Sequence, residues 1–465
     1  MKIQTRFFLH SSCKSTYFIF YLGVEATGSG EMTMTFDYFM PVDCTGETLD
    51  EYLEEAWFRD GPMMSRYEMI YFRNHVYSIV PIRVGLDGFK FSKSQRKLMR
   101  KNRCYEIKIQ PLEITEEKEK MYAEHKGRFQ SPNSPTSLKN YFLEEGNEES
   151  PFETWELQIL DGDKIAAISF MDLGKNSICS ILALFDPEYS KQSLGITTML
   201  LEIEYAQMTN KSFYYPGYVL DEGSVFDYKK RLNNLYFFDW EDYTWQEWDK
   251  FQPEKSTNAI LRQKLGAVQE IAQELNETKL ELVQNEAFFY NIWHNTFDVS
   301  GIIPSPLYLE WESQWFHQLT INVDFLEDIH EPLYVLTHQQ ETLEQSYSAT
   351  AINDSLHKFQ MRIRNAAIVQ QQNLFLLEEY LIQENIETDI TKMFSNGNKL
   401  DGFIELAIEG KHLTIYISYI LSKRVFLMQA SNDLRDITVD TFASARDCAM
   451  AIKEWYYRKT LSLVL

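Results

Sequence analysis

The sequence predicts an α/β chain of the α+β kind: a mixed sheet in its first half, then a separate α+β or mainly helical region. Three observations carry this. Residues 155–185 form three strand-like runs, with Asp161-Gly162 as a hairpin signal after the first. An apolar helical stretch follows at 195–210 and a short aromatic strand at 213–219, the succession expected of a layered α/β unit. Beyond Phe251-Gln252-Pro253 the pattern changes to long helical periodicity.

The elements follow in order. At 465 residues the chain has length for two or three domains, read as 1–110, 111–250 and 254–465. The apolar run at 17–24 is shorter than the ~20 residues that span a bilayer. Polar SSCKS precedes it and no small-residue cleavage site follows, so it reads as a buried strand. Residues 48–57 look helical and 76–84 (VYSIVPIRV) look like a strand. Ser92-Lys93-Ser94-Gln95 fits a capping box, so a helix starts after Ser92. Arg96, Arg100 and Arg103 then share one face, and Leu98 and Met99 turn inward. A charged helix at 113–130 is broken by SPNSPT at 131–136, and 143–150 is an acidic loop. In the last region Leu261, Val268, Leu275 and Leu282 recur every seven residues. This pattern reads as an amphipathic helix packed on its own domain, with a short coiled-coil arm as the other reading. A long helix at 353–384, a hairpin turning at 409–411 and a final helix at 441–459 complete the chain, and residues 254–465 hold no readable catalytic motif.

The formal charge is −23, yet residues 89–103 (FKFSKSQRKLMRKNR) hold seven basic residues and no acid. Lys and Arg bind phosphate by charge and by forked donors, so phosphate is the first partner to consider. The acidic total counts against non-specific nucleic-acid binding. At ~0.15 M salt, however, the Debye length is roughly 8 Å, so the local patch outweighs the distant total. The five cysteines, Cys13, Cys44, Cys104, Cys179 and Cys448, are scattered without CxxC spacing, so neither a disulfide framework nor a zinc knuckle is expected. A reducing cytoplasm fits them best.

Three ordered blocks carry a resemblance. They are FKFSKSQRKLMRKN, then DPEYSKQSLGITTMLLE at 186–202, then YYPGYVLDEGSVFDYKKR at 214–231. Together they resemble the arginyl-tRNA–protein transferase family, including its bacterial leucyl-transferring branch. That family has F-x-P-S-[KR]-S-Q-[RK]-[RK], D-P-x-Y-x-x-x-S-L-G before a helix ending E-I-E, and Y-Y-x-G-Y…Y-K. Phe91 stands ahead of Ser92–Lys97 without the family proline. Asp186, Pro187, Tyr189, Ser193, Leu194, Gly195, Glu202, Ile203 and Glu204 match in order, as do Tyr214, Tyr215, Gly217, Tyr218, Tyr228 and Lys229. Trp57, Arg59 and Gly61 resemble a W-R-R-S-G element with Asp60 in place of serine, and Tyr122 and His125 resemble the intervening helix. The similarity spans roughly residues 48–240. Two departures stand out. The family's paired cysteines ahead of the I-R strand are absent from 72–82, so no metal site is expected. Residues 222–225 also replace the family's Cys-Pro turn.

The resemblance implies a GNAT-like fold and passage of an arginyl or leucyl group from a tRNA 3′ end to the N-terminal α-amino group of a protein. It implies catalytic roles for Asp186, Glu202, Tyr218 and Tyr228, with Glu204 and His125 as weaker acid–base candidates. It implies substrate binding by Lys93, Ser94, Gln95, Arg96, Arg100, Gln192, Ser193, Leu194, Gly195, Tyr215, Lys229 and Lys230. The expected donor is aminoacyl-tRNA, with no cofactor, no metal and no membrane partner. Gln192-x-x-Gly195-x-Thr197 also partly matches a coenzyme A pyrophosphate loop, and a helix N-terminus suits any phosphate. An acetyl-CoA-dependent N-acyltransferase therefore stays open, as does a non-catalytic binding protein. The acceptor chemistry favours an α-amine. At pKa ~7.7–8 its neutral form at pH 7 costs only ~1 kcal/mol, against roughly 4–5 kcal/mol for a lysine. Positioning and oxyanion stabilisation then matter more than a strong base.

Overall fold

The computed structural model describes residues 2–7, 20–25, 35–129, 135–143, 150–276, 278–294, 305–313, 316–324, 333–338, 341–383, 393–396, 399–408, 411–420, 425–432 and 436–464. The chain divides into two compact units. The first is built mainly from residues 1–263 with 284–306 and 325–332, the second from 264–283, 307–324 and 333–465. Both combine strands and helices, the α+β class expected. No helix among the described residues is long and apolar enough to cross a membrane.

In the first unit a five-stranded sheet has the order β1 (Lys2–Phe7), β2 (Phe20–Glu25), β3 (Phe36–Phe39), β5 (Met63–Tyr67), β4 (Phe58–Asp60). Helix α1 (Gly46–Glu54) lies between β3 and β4 in the chain and is capped by Thr45. It stops short of the 48–57 expected, because Glu55 and Ala56 turn the chain, Ala56 with positive φ, and Trp57 leads into β4. A larger sheet takes strands from both sides of residue 110. Besides β6 (Met69–Phe72) and β7 (His75–Gly85), it contains β8 (Glu106–Pro111), β9 (Thr154–Asp161), β10 (Lys164–Leu173) and β11 (Ser177–Phe185). It is completed by β12 (Phe213–Tyr215), β13 (Tyr218–Leu220), β14 (Leu235–Asp239) and β15 (Thr244–Glu247). The hairpin at Asp161-Gly162 forms as read, with Gly162 at positive φ.

Helix α2 (Lys93–Lys101) carries the full capping box, with Ser92 Oγ accepting from the Gln95 amide and the Gln95 side chain accepting from the Ser92 amide. Leu98 and Met99 pack on the main core as expected. Arg103 lies past the helix end at Asn102, so only Arg96 and Arg100 of the expected row lie on the helix. Helices α3 (Glu116–Phe129) and α4 (Leu138–Phe142) follow. The expected break at 131–136 falls largely outside the described residues, as does the loop expected at 143–150. Helix α5 (Leu194–Met208) connects β11 to β12, and these two strands pair in parallel. Only three pairs form, from Ser177↔Phe213 to Cys179↔Tyr215. Beyond them β11 runs on to Phe185 while the chain after Tyr215 turns at Pro216-Gly217, where Gly217 has φ +85°. The single strand expected at 213–219 is therefore two, and the sheet opens between them and β11.

Helix α6 (Thr257–Asn276) buries Leu261, Leu265, Val268 and Ala272, so it is amphipathic as expected. Leu282, the last of the sevenfold repeat, lies in strand β16 (Leu280–Gln284), so the repeat ends with the helix. After α7 (Glu286–His294) the second unit holds β17 (Leu307–Ser313), β18 (Phe316–Asp324), β19 (Leu333–His338) and β20 (Glu341–Ser346), which form an antiparallel run, then α8 (Ala349–Gln383). A second antiparallel run, β21 (Met393–Asn396), β22 (Lys399–Ile408), β23 (Lys411–Ile420), β24 (Val425–Asn432) and β25 (Asp436–Phe442), is followed by α9 (Ala445–Val464). The expected 403–420 hairpin is β22–β23.

Candidate functional site at the opening of the sheet

Helix α2 joins the three motif blocks. At its start the Gln95 side chain donates to the Arg231 carbonyl (3.1 Å), in the 3-10 turn Asp227–Arg231. At its end Asn102 Nδ2 donates to the Gln192 carbonyl (3.1 Å) and to Thr197 Oγ1 (2.7 Å), and Lys101 Nζ donates to the Lys191 carbonyl (2.7 Å). Blocks about ninety and 130 residues along the chain thus close on one short helix. Lys93, Arg96, Lys97 and Arg100 are exposed. Arg96 donates to the Phe91 carbonyl, while the side chains of Lys93, Lys97 and Arg100 have no hydrogen-bond or ion-pair partner among the described residues. Gln95 itself is buried and serves as a cap and a tie, and Ser94 bonds Ser92.

Just past the point where β11 and β12 part, aromatic rings cluster around Tyr218. Strand alternation turns Phe58 and Asp60 to one face of β4 and Arg59 to the other. Phe58 packs on Tyr67 (4.9 Å between ring centroids) and on Tyr218 (5.4 Å), and Tyr218 packs on Phe226 (5.5 Å). The Tyr67 and Tyr218 hydroxyls share a hydrogen bond, and burial pushes both well above the usual tyrosine range. Lys229 Nζ donates to the Tyr218 carbonyl (3.2 Å) and lies 5.7 Å from the Tyr218 ring centroid and 5.3 Å from that of Phe226. Burial lowers its pKa to about 8, because this aromatic setting offers the ammonium little solvation and no carboxylate.

Glu202 points inward from α5, fully buried, and accepts from the Tyr214 hydroxyl (2.6 Å). Burial raises its carboxyl pKa, and the Ser169, Tyr214 and Ser180 hydroxyls act the other way. Burial raises Tyr228 too, and the charge of Glu202 adds to the shift; its ring stays partly exposed. Asp186 is engaged elsewhere, accepting from the Glu188 amide (2.9 Å) and pairing with Lys164 (2.8 Å). Gln192 and Ser193 form the turn into α5, Ser193 with φ +56°. Leu194 is buried, and Gly195 is the second residue of the helix. Glu204 is exposed, and His125 sits on α3. Lys230 pairs with Asp227 (2.9 Å) and donates to the Leu220 carbonyl (3.3 Å).

Tyr215 faces away from this group. Its hydroxyl accepts from Arg83 (3.2 Å), which also pairs with Glu54 and lies between the Phe213 and Trp245 rings. A separate 590 Å³ cleft lies on that side, lined by Glu54, Arg66, Arg83, Phe238, Tyr243 and Trp245 among others. Tyr214 and Tyr215 are adjacent in sequence, so their opposite directions follow from strand alternation.

Sequence reading passed over Tyr67 and Tyr141 and noted Asp60 only as a replacement. Asp60 pairs with Met63 and Phe58 with Ser65 across β4 and β5, which puts Asp60 on the sheet face that carries Tyr67, and its charge raises the pKa of the Tyr67, Tyr141 and Tyr218 hydroxyls. Arg59 holds them in place from behind. It donates to Asp172 at 2.7 and 2.9 Å, to the Gly61 carbonyl at 2.7 Å and to the Phe142 carbonyl at 3.3 Å. The one sequence signal was the partial W-R-R-S-G match around these residues.

Residues 117–239 match the family profile of the arginine-tRNA-protein transferase C terminus. An aspartate/glutamate leucyltransferase of Thiobacillus denitrificans is 26% identical over 161 residues, covering 34% of this chain and 65% of that protein. One from Leptospira interrogans is 27% identical over 207 residues, covering 42% and 75%, and one from Shewanella sp. (strain MR-4) is 30% identical over 156 residues, covering 32% and 63%. The chain thus spans just under two thirds of the length of the Thiobacillus and Shewanella proteins. These names are those of aminoacyltransferases, and the resemblance of this part of the chain to the arginyl- and leucyl-transferring family is thereby established.

Proposed function

We propose that the chain is an aminoacyl-tRNA–protein transferase on a GNAT-like scaffold, acting in the cytoplasm, where charged tRNA is found. The observation that carries this reading is the convergence of the three motif blocks on α2, whose Lys93, Lys97 and Arg100 side chains are exposed and have no hydrogen-bond or ion-pair partner among the described residues. A basic helix face beside an opening in a sheet suits a polyanion whose 3′ end enters the opening. The α-amine of the acceptor attacks the ester carbonyl. The amide C–N bond forms, the ester C–O bond breaks, and the amine proton passes to the departing ribose oxygen. The Tyr228 hydroxyl and the Lys229 ammonium are donors for the charge that develops on the carbonyl oxygen.

The test is a filter assay with labelled arginyl- and leucyl-tRNA and peptides beginning with Asp, Glu, Lys or Arg. Transfer to at least one peptide is expected. The triple variant Lys93→Ala/Arg96→Ala/Arg100→Ala should weaken tRNA binding and flatten its salt dependence by about two to three logarithmic units per decade. Turnover of acetyl-CoA with no transfer from either tRNA would refute the reading, and an unchanged salt slope would remove α2 from it.

A further inference from the structure

Asp60 is enclosed but alone. It keeps some contact with solvent, yet enough protein surrounds its carboxyl that burial alone raises its pKa. The carboxyl has no hydrogen bond or ion pair among the described residues. Its neighbours are neutral hydroxyls, those of Tyr67, Tyr141 and Tyr218, and the rings of Phe58, Tyr67 and Tyr218 pack together on its side of β4. The nearby cation Arg59 is spent on Asp172 and on two carbonyls. An enclosed carboxyl without a partner lowers stability, and positions that break such a rule are expected at functional sites. The environment also has a clear ligand preference, since a carboxylate among aromatic rings attracts an organic cation by charge and by the ring faces.

We propose that Asp60, with Tyr67, Tyr141 and Tyr218, forms a subsite for a cationic group of the substrate, an ammonium or a guanidinium. The inference rests on the transferase reading and narrows it, because the related family has serine where this chain has Asp60. Two sources share this chemistry: the α-ammonium of an amino acid residue and a guanidinium side chain.

The experiment is calorimetric titration of the full chain with three esters. Leucine methyl ester carries only an α-ammonium, N-acetylarginine methyl ester only a guanidinium, and N-acetylleucine methyl ester no charge. At least one cationic ester should bind about tenfold or more tightly than the neutral one. Asp60→Asn and Asp60→Ser should abolish that advantage, and the ester that shows it identifies the source. Both variants remove an unpaired carboxyl, so both should melt at or above the wild-type temperature, which controls for misfolding. The subsite is refuted if neither cation has an advantage, or if the advantage survives in both variants. Transfer activity with no role for Asp60 would sink the subsite alone. Asp60-dependent cation binding without any transfer would sink the transferase reading alone.

Discussion

Replacing Arg59 with methionine should loosen the whole recess. Arg59 and Asp172 are both 0% exposed at the side chain, and the contact is short, with Nη1 at 2.7 and 2.9 Å from the two carboxylate oxygens. The guanidinium also lies 4.2 Å from the Phe152 ring centroid and holds the Gly61 and Phe142 carbonyls. Arg59→Met therefore leaves Asp172 buried with only the Thr154 hydroxyl (2.6 Å) and strands two carbonyls. Breaking a buried pair on one side costs about 3–5 kcal/mol. In Arg59→Met/Asp172→Leu the stranded charge is gone, and at least about 2 kcal/mol should return. The remaining deficit, up to about 3 kcal/mol, reflects the two carbonyls together. The chain has two units, so a single unfolding energy is poorly defined. Hydrogen exchange of the β4–β5 and β9–β10 segments reads the local opening energy instead. A cost for Arg59→Met below about 1 kcal/mol, or a double variant no more stable than the single, would show that the pair is not what holds this wall.

Two further outcomes follow from the same geometry. Lys229→Met should stabilise the protein near pH 7 by a few kcal/mol at most. The folded pKa of about 8 lies below the ordinary 10.5, so the unfolded chain binds the extra proton between these values. Wild-type stability then rises from about pH 8 to 10.5 and the gap to the variant closes, as a melting series across that range would measure. A gap independent of pH would mean that Lys229 is not desolvated. Gly61→Ala should cost about 1 kcal/mol or more, because φ is +65° and an added Cβ would stand 3.3 Å from the Tyr141 carbonyl oxygen. Thermal melting checks this, and an unchanged midpoint would show that the turn relaxes freely.

Much of the local structure was legible in the sequence. The Ser92–Gln95 capping box, the Asp161-Gly162 turn and the inward Leu98 and Met99 are short-range features, set by residues within a few positions of one another. The misreadings have local causes as well. Pro216-Gly217 splits an aromatic strand, and Leu282 continues a numerical repeat after the helix has ended. The candidate site was legible only in part. Lys93, Arg96 and Arg100 lie exposed on α2, Tyr218 and Lys229 share one aromatic cluster, and Tyr228 lies in the turn Asp227–Arg231 beside Lys229. Tyr215 turns to the opposite face, and Asp186 serves as a cap and an ion-pair partner. Asp60, Tyr67 and Tyr141 come from three elements with no common spacing, so no periodicity could have grouped them.

The sequence by itself determined the α+β class, the capped basic helix and the ordered motif blocks, because charge, capping and turn chemistry act between near neighbours. Only the tertiary structure decided that β11 and β12 part after three pairs and that α2 ties together blocks far apart in the chain. It also decided that Asp60, whose carboxyl is unpaired among the described residues, shares a sheet face with Phe58 and Tyr67. Those outcomes depend on long-range pairing and on which face of a strand is buried, and a one-residue change of register would reverse them.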